Sequence, residues 1–304
     1  MHFDIIPDIH GDYDRLAATL ETLGWEEQPT GWRHPEGRRL AFLGDFIDGG
    51  SQNEAVLETA WQLIRSGQAV AVMGNHELNA IHYHRRDASG QWMREHDAKS
   101  NQQHASFLEE FPVASPAARN WTERFLDLPL WLDLGPVRIV HACWDDAAIA
   151  TVSARRPDGR LKSEDLAEVA LDESDFARAV NCLLKGPKHP LPQGAHFHDH
   201  SGHKRHKARV RWWAAGADPR WRDLVVSIPD LSQVPDLPAD RGSGPRLYDP
   251  SAKPVVFGHY KLAPGSSAGG RNALCLDYPA QPAAFRSDAV APGQPLTEGL
   301  LLAS

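Results

Sequence analysis

The stretch Gly44-Asp45-Phe46-Ile47-Asp48-Gly49 follows a short apolar run at 40–43 and precedes a helical pattern at 53–64. Asp45 therefore falls where a buried strand ends and a loop begins, the usual place for site residues on open α/β sheets. A carboxylate there is costly unless positive charge meets it. Three further stretches share this form: Asp8-Ile9-His10-Gly11, Gly74-Asn75-His76-Glu77 and Val140-His141. A fifth, Gly258-His259, comes late. Together they offer Asp, His, Asp, Asn, His and His, a ligand set for two divalent metals.

Working outward, residues 3–6 read as the first buried strand, ended by Pro7. Leu16, Leu20 and Leu23 recur at helical spacing, which predicts a helix over 13–23. The second strand is 40–43, and its helix over 53–64 is stopped by Gly67. A third strand at 69–73 leads into a helix over 78–84. Strand, loop and helix in that order, three times, is the pattern of an α/β protein. From 85 to 129 the pattern is helical and polar, with Phe107, Leu108, Phe111, Phe125 and Leu128 as packing positions. Further strands are expected at 137–140, 255–257 and 273–276, and a helix over 161–184 is expected to break near Asp172.

The 304 residues are enough for a sizeable core, and they read as one domain over 1–304. The stretch 185–253, basic and rich in loop-formers, is expected to be an insertion or cap near the site, and the Pro/Gly-rich tail 289–304 to be poorly ordered. A net charge of −8 does not favour general attraction to nucleic acid or anionic membrane. Three widely spaced cysteines do not suggest a disulfide framework. The start shows no signal-peptide pattern, and no segment approaches the ~20 apolar residues of a membrane span, so a cytoplasmic protein is the default expectation.

Each block alone has a plain structural reading. Asp-x-His-Gly and Gly-Asp-x-x-Asp-Gly suit turns, Gly-Asn-His-Glu suits the cap of a helix, and His141 suits a buried core histidine. Their combination, in order and each at a strand end, points instead to a common site. Asp45 has two oxygens and can bridge two ions, Asn75 adds a neutral oxygen, and the imidazoles complete a set that suits Mn²⁺, Fe or Zn²⁺ better than Ca²⁺.

These five blocks resemble those of the calcineurin-like metallophosphoesterases, with spacings similar to the branch holding protein Ser/Thr phosphatases and bacterial dinucleoside tetraphosphatases. The resemblance runs from Asp8 to about Asp277, and is sparse between His141 and Gly258. It implies a four-layer α/β/β/α sandwich with two central mixed β-sheets. It implies that Asp8 and His10 hold one metal, that Asn75, His141 and His259 hold the other, and that Asp45 bridges them. It further implies a metal-bridging hydroxide as nucleophile and His76 as general acid, with Asp48 on the far side of the ring. The expected activity is two-metal phosphoester hydrolysis, with Mn²⁺ foremost. A protein-phosphatase-like phosphomonoesterase ranks first and a dinucleoside polyphosphate hydrolase second; in either case the partner is a phosphorylated small molecule or phosphoprotein. A catalytically silent phosphate- or nucleic-acid-binding protein on the same fold is the alternative of another class.

Two positions depart from that pattern. Lys261 stands where the family often has a second histidine, and Gly49 stands where an arginine usually grips substrate phosphate. The basic stretch 185–211 is the obvious source of a replacement cation. Arg209 and Arg211 alternate with Ala208, Val210 and Trp212 as in a strand with one polar face, and Arg205 lies close by. The alternative is a solvated, mobile loop. His196-x-His198-x-His200 is a weak candidate for a third metal, and the basic stretch with Trp212 and Trp213 a weak one for single-stranded nucleic acid.

Overall fold

A computed structural model describes residues 2–199, 202–214, 219–239, 245–263, 269–270, 272–291 and 294–302. Two mixed sheets organise the chain. In the first, the fully buried strand Phe3–Ile6 lies parallel to Arg39–Phe42, which lies parallel to Ala69–Ala71. On its other side Phe3–Ile6 pairs antiparallel with Ala283–Arg286, and that strand pairs with Leu300–Leu302 at the edge. In the second sheet Val255–Phe257 sits between parallel neighbours Ala273–Cys275 and Arg138–Val140, with Trp131–Asp133 antiparallel at the edge. One continuous apolar core takes in Ile5, Leu40 and Phe42 of the first sheet and Ile139, Val256 and Phe257 of the second.

The helices follow from local sequence. Tyr13–Thr22 is opened by Asp12, whose carboxylate accepts from the Arg15 amide. Asn53–Arg65 buries Val56, Leu57, Ala60, Trp61 and Leu63 on one face. The helix expected over 78–84 runs instead over Asn75–Tyr83. It starts earlier because Glu77 folds back to accept from the Gly74 amide, which ends the need for a longer loop. The break at Asp172 is real: that residue is left-handed between Leu166–Leu171 and Asp175–Lys185.

Within 185–253, strands Lys188–Pro190, Lys207–Val210 and Val225–Val226 form a small antiparallel sheet. It has its own apolar cluster of Leu191, Phe197, Ala208, Val210, Trp221, Val225 and Val234. Trp212 and Trp213 leave that cluster and join the main core, where they meet Phe257. Among the described residues no helix is long and apolar enough to cross a membrane.

One buried ion pair ties the first sheet to the chain end. Asp4, fully buried, accepts from the Arg38 guanidinium at 2.9 Å and from the Trp25 indole at 3.0 Å. Arg38 also forks onto Asp288 at 2.9 and 2.6 Å. The Arg38 hydrogen bonds hold the Asp288 carboxyl below its ordinary value of 3.8, at about 2. A depressed carboxyl contributes stability above its unfolded value and loses it as pH falls through the folded one. Arg38→Met removes the main countercharge of a buried carboxylate and is expected to cost about 3 kcal/mol in urea denaturation. The variant should also lose less stability than the wild type between about pH 4 and pH 2.

Candidate active site

The loops that matter leave the carboxyl ends of the parallel strands. Asp8 and His10 follow Phe3–Ile6, Asp45 and Asp48 follow Arg39–Phe42, and Asn75 and His76 follow Ala69–Ala71. From the second sheet come His141, His259 and Asp277. The backbone there is strained. His10, Asp45, Asp48 and His259 have φ of 54°, 50°, 71° and 69°, a region that disfavours side chains and whose strain clusters at functional sites. Two glycines let the loops meet. A Cβ on Gly74 would lie 2.2 Å from the Asp45 amide nitrogen, and one on Gly258 would lie 1.9 Å from Asp8 Oδ1.

Asp45 is the hub, with 2% of its surface exposed. Its carbonyl accepts from the amides of Ile9 and His10 at 3.0 and 2.9 Å, which pins the first loop to the second. Its Oδ1 accepts from the His76 amide at 2.8 Å, and Oδ2 lies 3.4 Å from His141 Nε2 and 3.8 Å from His76 Nε2. Burial presses its pKa up, but His141 and His76 prevail and hold it well below the carboxylate range. Glu77, fully buried, accepts from the amides of Asp45, Phe46 and Gly74 at 2.8, 2.9 and 2.9 Å. Burial and the Asp45 charge push Glu77 up to about 7. Glu77 closes the Gly74-Asn75-His76-Glu77 block, yet nothing in its sequence context points to this clamp on the Asp45 turn.

His141, fully buried, donates Nδ1–H to the Leu43 carbonyl at 2.8 Å. Its Nε2 faces Asn75 Oδ1 at 3.2 Å; burial presses the imidazole down, but Asp45 outweighs it and pushes His141 up to about 10, so a bound ion would take the place of the Nε2 proton. Asp45, His141 and His259 bring ligand atoms within 4.8 Å of one another, and so do His10, Asp45 and His76. His76, read from sequence as the acid and not as a ligand, thus stands in the second group. Asp8 stands in neither; its Oδ2 accepts from the His259 amide at 3.0 Å. Burial raises the Asp8 pKa well above its ordinary value, with Asp277 adding to the rise. Asp277 is buried and pushed up to about 6 by the same cause, against the pull of Lys261. Among the described residues His259 Nε2 and Asp277 Oδ2 are buried with no hydrogen-bond partner. Clustered carboxylates, an orphaned imidazole nitrogen and an imidazole oriented by a carbonyl are what divalent ions satisfy, so the donor set fits such ions.

Beside Asp45, His76 Nδ1 meets Asp48 Oδ2 at 2.6 Å. Burial presses the imidazolium down, but Asp45 and Asp48 outweigh it and push His76 up to about 9. The other oxygen of Asp48 accepts from His104 Nδ1 at 2.8 Å. His104 lies in the helical, polar stretch where sequence offered only packing positions.

The arginines divide. Arg205 is exposed and paired with Asp199 at 2.7 Å. Arg211 is exposed. Arg209 is half-buried opposite Lys188 in the small sheet, and its Nε is buried without a hydrogen-bond partner among the described residues. Its charge also helps press His259 down, after burial and His141. Position 49 has φ of 97°, where any side chain would be strained. His196 and His198 have ring centroids 5.6 Å apart but gather no third ligand among the described residues, and His200 lies outside them.

The profile of calcineurin-like phosphoesterases matches residues 1–260, and the chain belongs to that family. Over 76 residues it is 41% identical to the bis(5'-nucleosyl)-tetraphosphatase PrpE (asymmetrical) of Halalkalibacterium halodurans, which covers 25% of this chain and 31% of that protein. The same share and identity hold for the enzyme of that name from Anoxybacillus flavithermus. The match thus spans about a third of the length of these relatives. The fold is similar to that of a protein serine/threonine phosphatase from Saccharomyces cerevisiae with similarity to human phosphatase PP5. That likeness has a TM-score of 0.50 at 13% identity and covers all of this chain and 79% of the other.

Gly258→Ala drives a methyl into the Asp8 carboxylate. It is expected to weaken Mn²⁺ binding at least about tenfold by isothermal titration calorimetry, with the fold retained by circular dichroism.

Proposed function

We propose that this protein is a two-metal-dependent phosphoester hydrolase, acting first on alkyl phosphomonoesters, phosphoproteins included. The observation that carries the reading is the 2.6 Å contact of Asp48 with His76 beside the buried Asp45. Asp8, His10, Asp45, Asn75, His141 and His259 would hold divalent ions, with manganese foremost and iron or zinc as alternatives, and such ions would supply positive charge to the phosphate and acidify the attacking water. The chain's own residues do the rest. Asp48 fixes Nδ1–H on the inner side of the His76 ring, so the proton at Nε2 faces the site, ready for an alkoxide leaving group. Arg209 is the cation proposed to take a phosphate oxygen in place of the side chain that Gly49 lacks. The chain is taken as one domain, with 185–253 as an insertion that brings Arg209 to the site.

Dinucleoside polyphosphate hydrolysis is the second reading. It is supported by the likeness to tetraphosphatases and by a gathering of cations: burial, and after it the charges of Arg94, Lys188 and Arg209, press Lys185 down to about 8 against the pull of Asp172. A leaving nucleotide phosphate needs no proton, so the two readings separate by leaving group.

His76→Ala is expected to lower kcat about 100-fold on an alkyl phosphate such as phosphoserine peptide and less than about 10-fold on p-nitrophenyl phosphate. Equal losses contradict the acid role. A diadenosine polyphosphate hydrolysed faster than either monoester, and unaffected by His76→Ala, selects the second reading.

A further inference from the structure

Behind the proposed acid lies a line of buried side chains that the phosphoesterase reading leaves without a task. Asp48 gives one oxygen to His76 and the other to His104 Nδ1, at 2.6 and 2.8 Å. His104 Nε2 lies 3.2 Å from His84 Nε2. His104 and His84 are 2% and 6% exposed, so neither answers to solvent. His104 is stacked on Phe107 with ring centroids 4.8 Å apart and 18° between planes, which fixes its rotation. The Asp48 amide, at a left-handed residue, donates to Asn53 at 2.9 Å.

The hydrogen bonds fix the two donors that face Asp48. An ionised Asp48 accepts only, so His76 and His104 both donate from Nδ1. His104 Nε2 and His84 Nε2 face each other, so one carries the proton of that hydrogen bond and the other the lone pair. The nitrogen left over, His84 Nδ1, is buried without a partner among the described residues. Burial, the largest cause, presses His84 down to about 4, so it stays neutral. With any other tautomer of His104, Asp48 would face a lone pair.

We infer that His104, oriented by His84, is a positioning residue for the acid: it holds one carboxylate oxygen of Asp48 so that the other stays against His76 Nδ1. The inference rests on the acid role of His76. A rotated Asp48 leaves His76 free to turn, and the proton at Nε2 is then no longer aimed at the leaving oxygen.

The test compares His104→Ala, His104→Asn and His76→Ala in the Mn²⁺-loaded protein on phosphoserine peptide and p-nitrophenyl phosphate. Asn places an amide N–H where Nδ1–H was; Ala places nothing there. His104→Ala is expected to lose about 10-fold in kcat on the peptide with KM nearly unchanged, and less than about 2-fold on the aryl ester. His104→Asn is expected to keep most of the wild-type rate on both. In the metal-free protein, the far-downfield Nδ1–H proton resonance of His76 should persist in His104→Asn and vanish in His104→Ala. If His104→Ala does not fold, His104→Gln, whose amide ends at the Nε2 position, replaces it with the same expectation. Equal losses on both esters in the His104 variant, or no rescue by Asn, overturn the inference alone when His76→Ala still shows the split. Absence of the split in His76→Ala overturns the acid reading and this inference with it.

Discussion

A carboxylate sealed from water at the meeting point of two sheets is the constraint on which this structure depends. Asp45 is 2% exposed, and each of its polar groups is used. Its carbonyl holds the loop after the first strand, its amide is held by Glu77, and its carboxylate meets the His76 amide and two imidazoles. In a low-dielectric interior such a charge is tolerated only with close, fixed partners. The fold provides them by bringing the carboxyl ends of parallel strands from both sheets to one rim.

The geometry needed for this is not comfortable for the chain. Left-handed φ at His10, Asp45, Asp48 and His259 and close approaches at Gly74 and Gly258 are costs borne by the rest of the fold. Glu77 offsets part of them. By accepting from three backbone amides it locks the turn of Asp45 to the start of the helix Asn75–Tyr83. The Asp48 carboxylate behaves in the same way one shell outward, with an imidazole on each oxygen. The site is therefore preorganised by carboxylates that themselves never reach solvent.

Much of this was legible in the sequence because strand ends are local. An apolar run followed by Asp, His or Asn is visible within a few residues, so Asp8, His10, Asp45, Asn75, His141 and His259 could be named, and the structure brings them to one rim. What stayed hidden depends on long-range contact. Ala283–Arg286 joins Phe3–Ile6 across most of the chain, and Arg38 finds Asp4 and Asp288 only in the folded state. His104 carries no motif and sits in a helical stretch, so its contact with Asp48 had no periodic signal. Glu77 lies inside the Gly-Asn-His-Glu block, but its contacts with the Asp45 and Phe46 amides form only when the two loops meet in the fold. The arginines could be listed but not ranked, because alternation along a strand says which face and not what lies opposite.

We propose that Asp45 is shared between two divalent cations. Crystals soaked in Mn²⁺ and measured at the manganese absorption edge test it directly. Two anomalous peaks are expected beside the Asp45 carboxylate, one toward His10 and one toward His141 and His259, and neither in Asp45→Asn. Peaks elsewhere with none at Asp45, or the same two peaks in Asp45→Asn, would contradict it.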